Sequence, residues 1–85
     1  MSSTNGNGQH SGNVTIRRLG DADLARIARL AELDSAAAPE APLLGIEVEG
    51  RLLAAGSIHT GHIIADPFRR TAEYRQMLSA ALVAP

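Results

Sequence analysis

Two apolar runs joined by a two-residue turn signal are the feature that most constrains the fold of this chain. Over residues 44–48, apolar side chains alternate with small or charged ones, which is the period of a strand with one buried face. Glu49-Gly50 follows and is typical of a tight hairpin turn. Residues 51–59 are apolar at both sets of alternating positions, as in a central strand that is covered on at least part of each side. The sequence therefore predicts a hairpin whose second strand lies inside a larger sheet.

The segment before this hairpin predicts a strand followed by a helix. Residues 14–19 (VTIRRL) are rich in β-branched side chains, and Gly20-Asp21 then supplies a helix cap. The helix is expected to end near Asp34, and residues 35–42 are interpreted as a linker because they contain two prolines. Apolar residues at helical spacing should form its buried face: Leu24, Ile27, Ala28, Leu30 and Ala31.

The segment after the hairpin predicts a short strand and a second helix. Thr60-Gly61 is a second turn signal, and residues 62–65 are expected to return as a strand. Asp66-Pro67 has the composition of a helix start, because aspartate caps well and proline lacks only an N–H that would be unpaired there. The predicted fold is thus an α+β domain, β-α-β-β-β-α, with a four-stranded, mainly antiparallel sheet. The second helix should bury an apolar stripe: Phe68, Ala72, Leu78, Ala81 and Leu82, with Tyr74 and Met77 at its margin.

The polar N-terminal segment limits the size of the folding unit. Residues 1–13 consist mostly of Ser, Gly, Asn and Thr and are predicted to be a disordered tail, which leaves residues 14–85 as the domain. A unit this small buries only roughly 60% of the surface that its unfolded chain exposes. We therefore expect support from a partner surface, either a second copy of the chain or an unknown protein.

Composition excludes several classes of function. Eight Lys and Arg residues against nine Asp and Glu residues give 8 − 9 = −1, and aromatic residues are 2% of the chain, so nucleic-acid binding is not expected. Cysteine is absent, which removes disulfides, thiolate zinc sites and cysteine nucleophiles. The chain shows no signal-peptide pattern and no apolar run of the roughly 20 residues that a spanning helix needs. A cytoplasmic protein without membrane association is expected.

Two segments, LLGIEVEGRLLAAGSI and ADPFRRTAEYRQMLSAAL, carry a resemblance to a known family, the GNAT superfamily of N-acetyltransferases. LLGIEVEGRLLAAGSI is similar to the second and third strands of that family with their acidic-glycine turn. ADPFRRTAEYRQMLSAAL aligns without a gap to the family motif V-x-P-x-x-R-G-x-G-x-G-x-x-L. The predicted order of elements also resembles the front half of that fold. The resemblance covers about residues 14–81.

The resemblance implies an acetyl-CoA site that has lost residues needed for cofactor binding and catalysis. In the family, the glycine-rich turn lets backbone N–H groups at a helix N-terminus approach the pyrophosphate of acetyl-CoA. Pro67 and Arg70 match the motif, but Thr71, Glu73 and Arg75 occupy its three glycine positions. The strand that splays from the fourth strand to admit the cofactor, and the segment that often supplies a catalytic tyrosine, are expected to be missing.

The functional expectation is therefore a truncated, non-catalytic GNAT-like interaction module that self-associates and has no catalytic residue and no cofactor. The alternative is an acyl-CoA-dependent N-acyltransferase that a second copy or a partner subunit completes, in which case acetyl-CoA would bind. A third possibility is a small-anion sensor at Arg69 and Arg70. These two arginines fall in the first turn of the predicted second helix, where the helix dipole disfavours cations. Pairing with Asp66 and Glu73 is the structural expectation, and an anion or partner carboxylate is the functional one.

His59 and His62 are the remaining candidate ligands. They flank the predicted Thr60-Gly61 turn, so both imidazoles are able to face the same side of a two-residue hairpin. Two histidines do not complete a zinc site, and no third ligand is nearby in the sequence. They are interpreted mainly as polar residues on an exposed turn, and no metal site is predicted.

Overall fold

The computed structural model describes residues 14–83 of the chain. The predicted tail, residues 1–13, lies outside the described residues. The predicted order of elements is confirmed, with four strands and two α-helices, and a short 3₁₀ turn, Asp21–Asp23, leads into the first helix. The bounds are β1 Val14–Leu19, α1 Leu24–Leu33, β2 Leu43–Val48, β3 Arg51–Ser57, β4 Ile63–Ala65 and α2 Ala72–Val83.

The strands form one antiparallel sheet in the order β1-β2-β3-β4, so each strand pairs with its neighbour in the sequence. The predicted hairpin is present, and Val48 pairs with Arg51 across the turn. Glu49 and Gly50 have φ values of 51° and 81°, the left-handed pair that suits a two-residue hairpin turn. The register shifts between Ile46 and Glu47, which places one extra residue on the β3 side and bends the sheet.

The two helices cover opposite faces of the sheet. Ala54 and Ala55 are adjacent in β3 and completely buried, and successive side chains of a strand point to opposite faces. Ala55 packs in a cluster with Leu30, Ala31 and Ile64 on the α1 face. Ala54 packs on the α2 face in a second buried cluster: Ile46, Ala54, Ala65 and Leu78. The prediction that β3 is a central strand with both faces covered is confirmed.

The buried face of α1 is rotated from the predicted one. Leu24 is 61% exposed and Ala28 is also exposed, although both were expected in the core. Ile27, Leu30 and Ala31 are buried as predicted, and the face they form begins at Asp23, which is only 3% exposed. A carboxylate therefore lies where the apolar spacing predicted a leucine, because ion pairs with Arg17 on β1 and Arg26 on α1 compensate its burial.

The predicted start of α2 is wrong. Asp66 begins a turn and not a helix, because its side chain accepts the Phe68 N–H at 2.8 Å. The helix begins at Ala72, and the carbonyl of Thr71 accepts the Arg75 N–H at 2.8 Å, so Thr71 is the capping residue. Phe68 is consequently 80% exposed and Ala72 is exposed, whereas Leu78 is fully buried as predicted.

Candidate functional site at the start of α2 and the β4 edge

The degenerate loop, defined here as residues 66–75, contains the residues that replace the motif glycines. Thr71 is 7% exposed, and its hydroxyl donates to the Asp66 carbonyl at 3.1 Å. The first glycine position is thus filled by a buried side chain that is hydrogen-bonded within the protein. Glu73 lies exposed in the first turn of α2, where its charge suits the helix dipole.

Arg75, at the third glycine position, turns towards the sheet and away from the loop. Its Nη2 lies 3.0 Å from Asp34 Oδ2, and its Nη1 lies 3.5 Å from the Ile63 carbonyl oxygen. The same Asp34 oxygen accepts the Ala65 N–H at 3.1 Å. We call Asp34 and Arg75 the edge pair, because both side chains reach the last strand of the sheet.

The backbone pattern shows which side of β4 the edge pair occupies. The Ser57 N–H donates to the His62 carbonyl at 2.9 Å, and the Asp66 N–H donates to the Leu53 carbonyl at 3.0 Å. In an antiparallel pair the residues alternate between bonding the neighbouring strand and pointing away from it. The backbone groups of Ile63 and Ala65 therefore point away from β3, and the edge pair closes the outer edge of β4.

Arg69 and Arg70 precede α2, so their prediction as residues of its first helical turn is wrong. Because the chain turns at Asp66, the helix begins only at Ala72, and the side chains of Arg69 and Arg70 before it are exposed. The ion pairs formed by residues 14–83 do not include the predicted pairing of these arginines with Asp66 or Glu73. The anion or partner contact at Arg69 and Arg70 stays a prediction.

His59 and His62 do not flank a two-residue turn. The fully buried Ser57 ends β3, and its hydroxyl accepts the N–H groups of His59 at 3.1 Å and Thr60 at 3.0 Å. Residues 58–62 therefore form a wider connection than was predicted. His62 Nε2 lies 3.2 Å from the Ala37 carbonyl oxygen, which gives this imidazole a structural partner. Among residues 14–83, no three His, Asp or Glu side chains are grouped as metal ligands.

A second charged cluster at the opposite edge of the sheet was not predicted. Asp23 lies 2.6 Å from Arg17 and also contacts Arg26, and Glu47 lies 2.9 Å from each arginine. Hydrogen bonds from Arg17 and then from the Gly20 N–H hold the pKa of Asp23 well below its usual range. Hydrogen bonding to Arg17 also lowers the pKa of Glu47. The charges of two arginines and two carboxylates cancel within this cluster. Its ion pairs link the start of α1 to β1 and β2, so its role is structural.

The chain is a small α+β domain in which Asp34 and Arg75 cover the outer edge of β4. This is the position at which the resemblance implied a cofactor. Comparison of the chain with family models, curated proteins and solved structures gives no significant match. The resemblance to the GNAT superfamily therefore stays a prediction from the motif residues and the order of elements. In residues 14–83, no helix has the length and apolar content needed to cross a bilayer.

Proposed function

We propose that the chain is a non-catalytic interaction module with GNAT-like architecture, which associates with a second copy of itself and does not bind acetyl-CoA. The edge pair is the observation that carries this proposal. The GNAT superfamily admits its cofactor beside the fourth strand, and here Asp34 and Arg75 already bond outward-facing backbone groups of that strand. A cofactor arm entering there would have to displace both side chains.

The start of α2 supports the same proposal. A pyrophosphate needs close access to helical N–H groups, and the buried side chain of Thr71 takes up that space. Glu73 adds a negative charge in the first turn, which repels a phosphate. Arg70 matches the motif, but one exposed arginine contributes only about 1 kcal/mol to such a contact. The repulsion is of similar size, so the loop offers no net affinity for the cofactor.

The outer side of α2 is the surface that we propose for self-association. Residues 76–83 carry no charge, and within them Met77 is 40% exposed and Val83 is 80% exposed. A two-fold interface brings the same patch of both copies together, so an uncharged patch avoids the repulsion that a charged one would suffer. Strand addition at β4 is disfavoured, because the edge pair occupies that edge.

Calorimetric titration with acetyl-CoA tests the proposal. The purified chain should give no heat of binding, because the loop is filled and the β4 edge is closed. A matched variant with Thr71→Gly, Glu73→Gly and Arg75→Gly restores the motif glycines and serves as the comparison, with circular dichroism used to show that it is folded. A dissociation constant below about 100 μM for the unmodified chain, roughly 5.5 kcal/mol, would overturn the proposal in favour of the acyltransferase.

A further inference from the structure

A cleft of about 290 Å³ lies between α1 and the start of β3, outside the degenerate loop's glycine positions. One helical stripe of α1 contributes Arg26, Arg29, Leu30 and Leu33 to it. The first residues of β3 form the opposite wall, and Leu52 and Leu53 complete an apolar floor of four leucines. At about 30 Å³ per water molecule, the cleft holds the equivalent of about ten waters. It is therefore the size of a small metabolite and not of a long acyl chain.

The topology of the sheet creates this cleft. β3 begins at Arg51, whereas β4 pairs only with Ala54, Ala55 and Gly56. The chain leaves the sheet at Asp66, so the start of β3 has a strand on its β2 side only. The space that a longer β4 would fill is open to solvent and is bounded by side chains of α1.

The charges around the cleft favour an anion. Arg26 is already paired with Asp23 and Glu47, so its charge is compensated. Within residues 14–83, Arg29 and Arg51 form no ion pair. The one carboxylate in the wall, Asp66, accepts the N–H of its own turn. Two uncompensated arginines and one aspartate leave 2 − 1 = +1, which matches a monoanion.

We propose that this cleft binds a small amphipathic monocarboxylate, in chemical terms a short-chain fatty acid. Its carboxylate lies between Arg29 and Arg51, whose planar guanidinium groups suit a planar anion. Its hydrocarbon chain lies on the leucine floor, where Leu33 and Leu52 are half-buried and keep surface that a ligand is able to cover. Each methylene group that the floor buries increases the affinity about fourfold. This inference uses neither the edge pair nor self-association and does not depend on the proposed function.

Titration of the isotopically labelled full chain with sodium hexanoate, followed by amide chemical shifts, tests the ligand class. Butanoate keeps the charge and shortens the chain, and hexan-1-ol keeps the chain and removes the charge. Hexanoate should bind with shifts at the walls of the cleft, and butanoate should bind about sixteenfold more weakly, from two fewer methylene groups. Hexan-1-ol should bind weaker still. Equal affinity of hexanoate with either comparison compound, or no hexanoate binding at millimolar concentration, would overturn the proposal.

Variants of the two uncompensated arginines test the site. Arg29→Gln and Arg51→Gln should each weaken hexanoate binding about tenfold, the value of one charge-assisted hydrogen bond. Arg18→Gln is the matched control, because Arg18 is exposed on β1 and does not line the cleft. All three side chains are partly or fully exposed, and the amide spectrum of each variant reports directly whether the fold is kept. The site assignment fails if both cleft variants bind hexanoate as Arg18→Gln does.

Discussion

Replacing Leu78 by alanine should remove the side chain that holds α2 on the sheet. Leu78 is fully buried, and it packs with Ile46, Ala54 and Ala65 at the centre of the α2 face. A leucine-to-alanine change at such a site costs about 2–5 kcal/mol, from lost burial and from the cavity that remains. At roughly 0.05–0.15 kcal/mol per residue, a domain of this size has only about 4–10 kcal/mol of stability in total. The variant therefore loses a large part of its free energy of unfolding.

The expected change in Tm is large enough to measure without ambiguity. For a domain of this size each 1 kcal/mol lowers Tm by about 4–8 °C, so a loss near 3 kcal/mol corresponds to roughly 12–24 °C. Leu24→Ala on α1 is the matched control, because Leu24 is 61% exposed and its truncation should change the stability by about 0.5 kcal/mol or less. Thermal and urea denaturation of both variants give the comparison.

A neighbouring glycine makes the test more specific. A methyl group at Gly56 would lie 2.8 Å from Leu82 Cδ1 and 3.3 Å from Leu78 Cδ2, so Gly56→Ala alone should crowd this face. Leu78→Ala leaves the contact with Ile63 Cγ1 at 3.1 Å in place, but its cavity gives Leu82 room to shift, so the two changes together should cost less than the sum of their separate costs. The packing argument is refuted if Leu78→Ala and Leu24→Ala cost the same, or if the two changes at the α2 face are simply additive.

Three further predictions concern charge, the sheet edge and association. Asp23 has a lowered pKa in the folded state, so its stabilising effect should be present above about pH 4 and lost as the pH falls through the folded pKa. Asp23→Asn should therefore flatten the acid side of a plot of the free energy of unfolding against pH, and an unchanged plot would contradict this. Asp34→Ala should speed amide exchange of Ala65, which hydrogen exchange detected by NMR would show; an unaltered rate would mean that this bond does not form in solution. Light scattering at high micromolar concentration should give a mass above the 8.9 kDa monomer. Met77→Glu should reduce that mass whereas Leu24→Glu should not, and a monomeric unmodified chain would remove the proposal of self-association.

The sheet was predictable because its signals are local. Alternation over residues 44–48 and the turn at Glu49-Gly50 lie within a few residues of each other, and each strand pairs with the next one in the sequence. The start of α2 was not predictable in the same way. Asp66-Pro67 suits a helix start and also suits a turn, and only the hydrogen bond from Asp66 to the Phe68 N–H decides between them.

The charged contacts of the site were beyond sequence reasoning for a different reason. Arg17 and Glu47 are 30 positions apart, and Asp34 and Arg75 are 41 positions apart. No local pattern joins such residues: Arg17 meets Glu47 only once β1 pairs with β2, and Asp34 meets Arg75 only once α1 and α2 are packed on the sheet. The prediction that the first helix ends near Asp34 is confirmed, but the sequence did not indicate that the Asp34 carboxylate bonds the last strand.

The position of the edge pair also affects the rate of unfolding. The β2-β3 and β3-β4 pairings close short loops, which carry a small entropic cost of closure. The contact between Asp34 and Arg75 forms only after both helices have docked, so it is absent from an early folding transition state. An interaction of that kind leaves the folding rate nearly unchanged and acts by slowing unfolding. The closed edge thus lengthens the time for which each folded copy keeps its last strand in place.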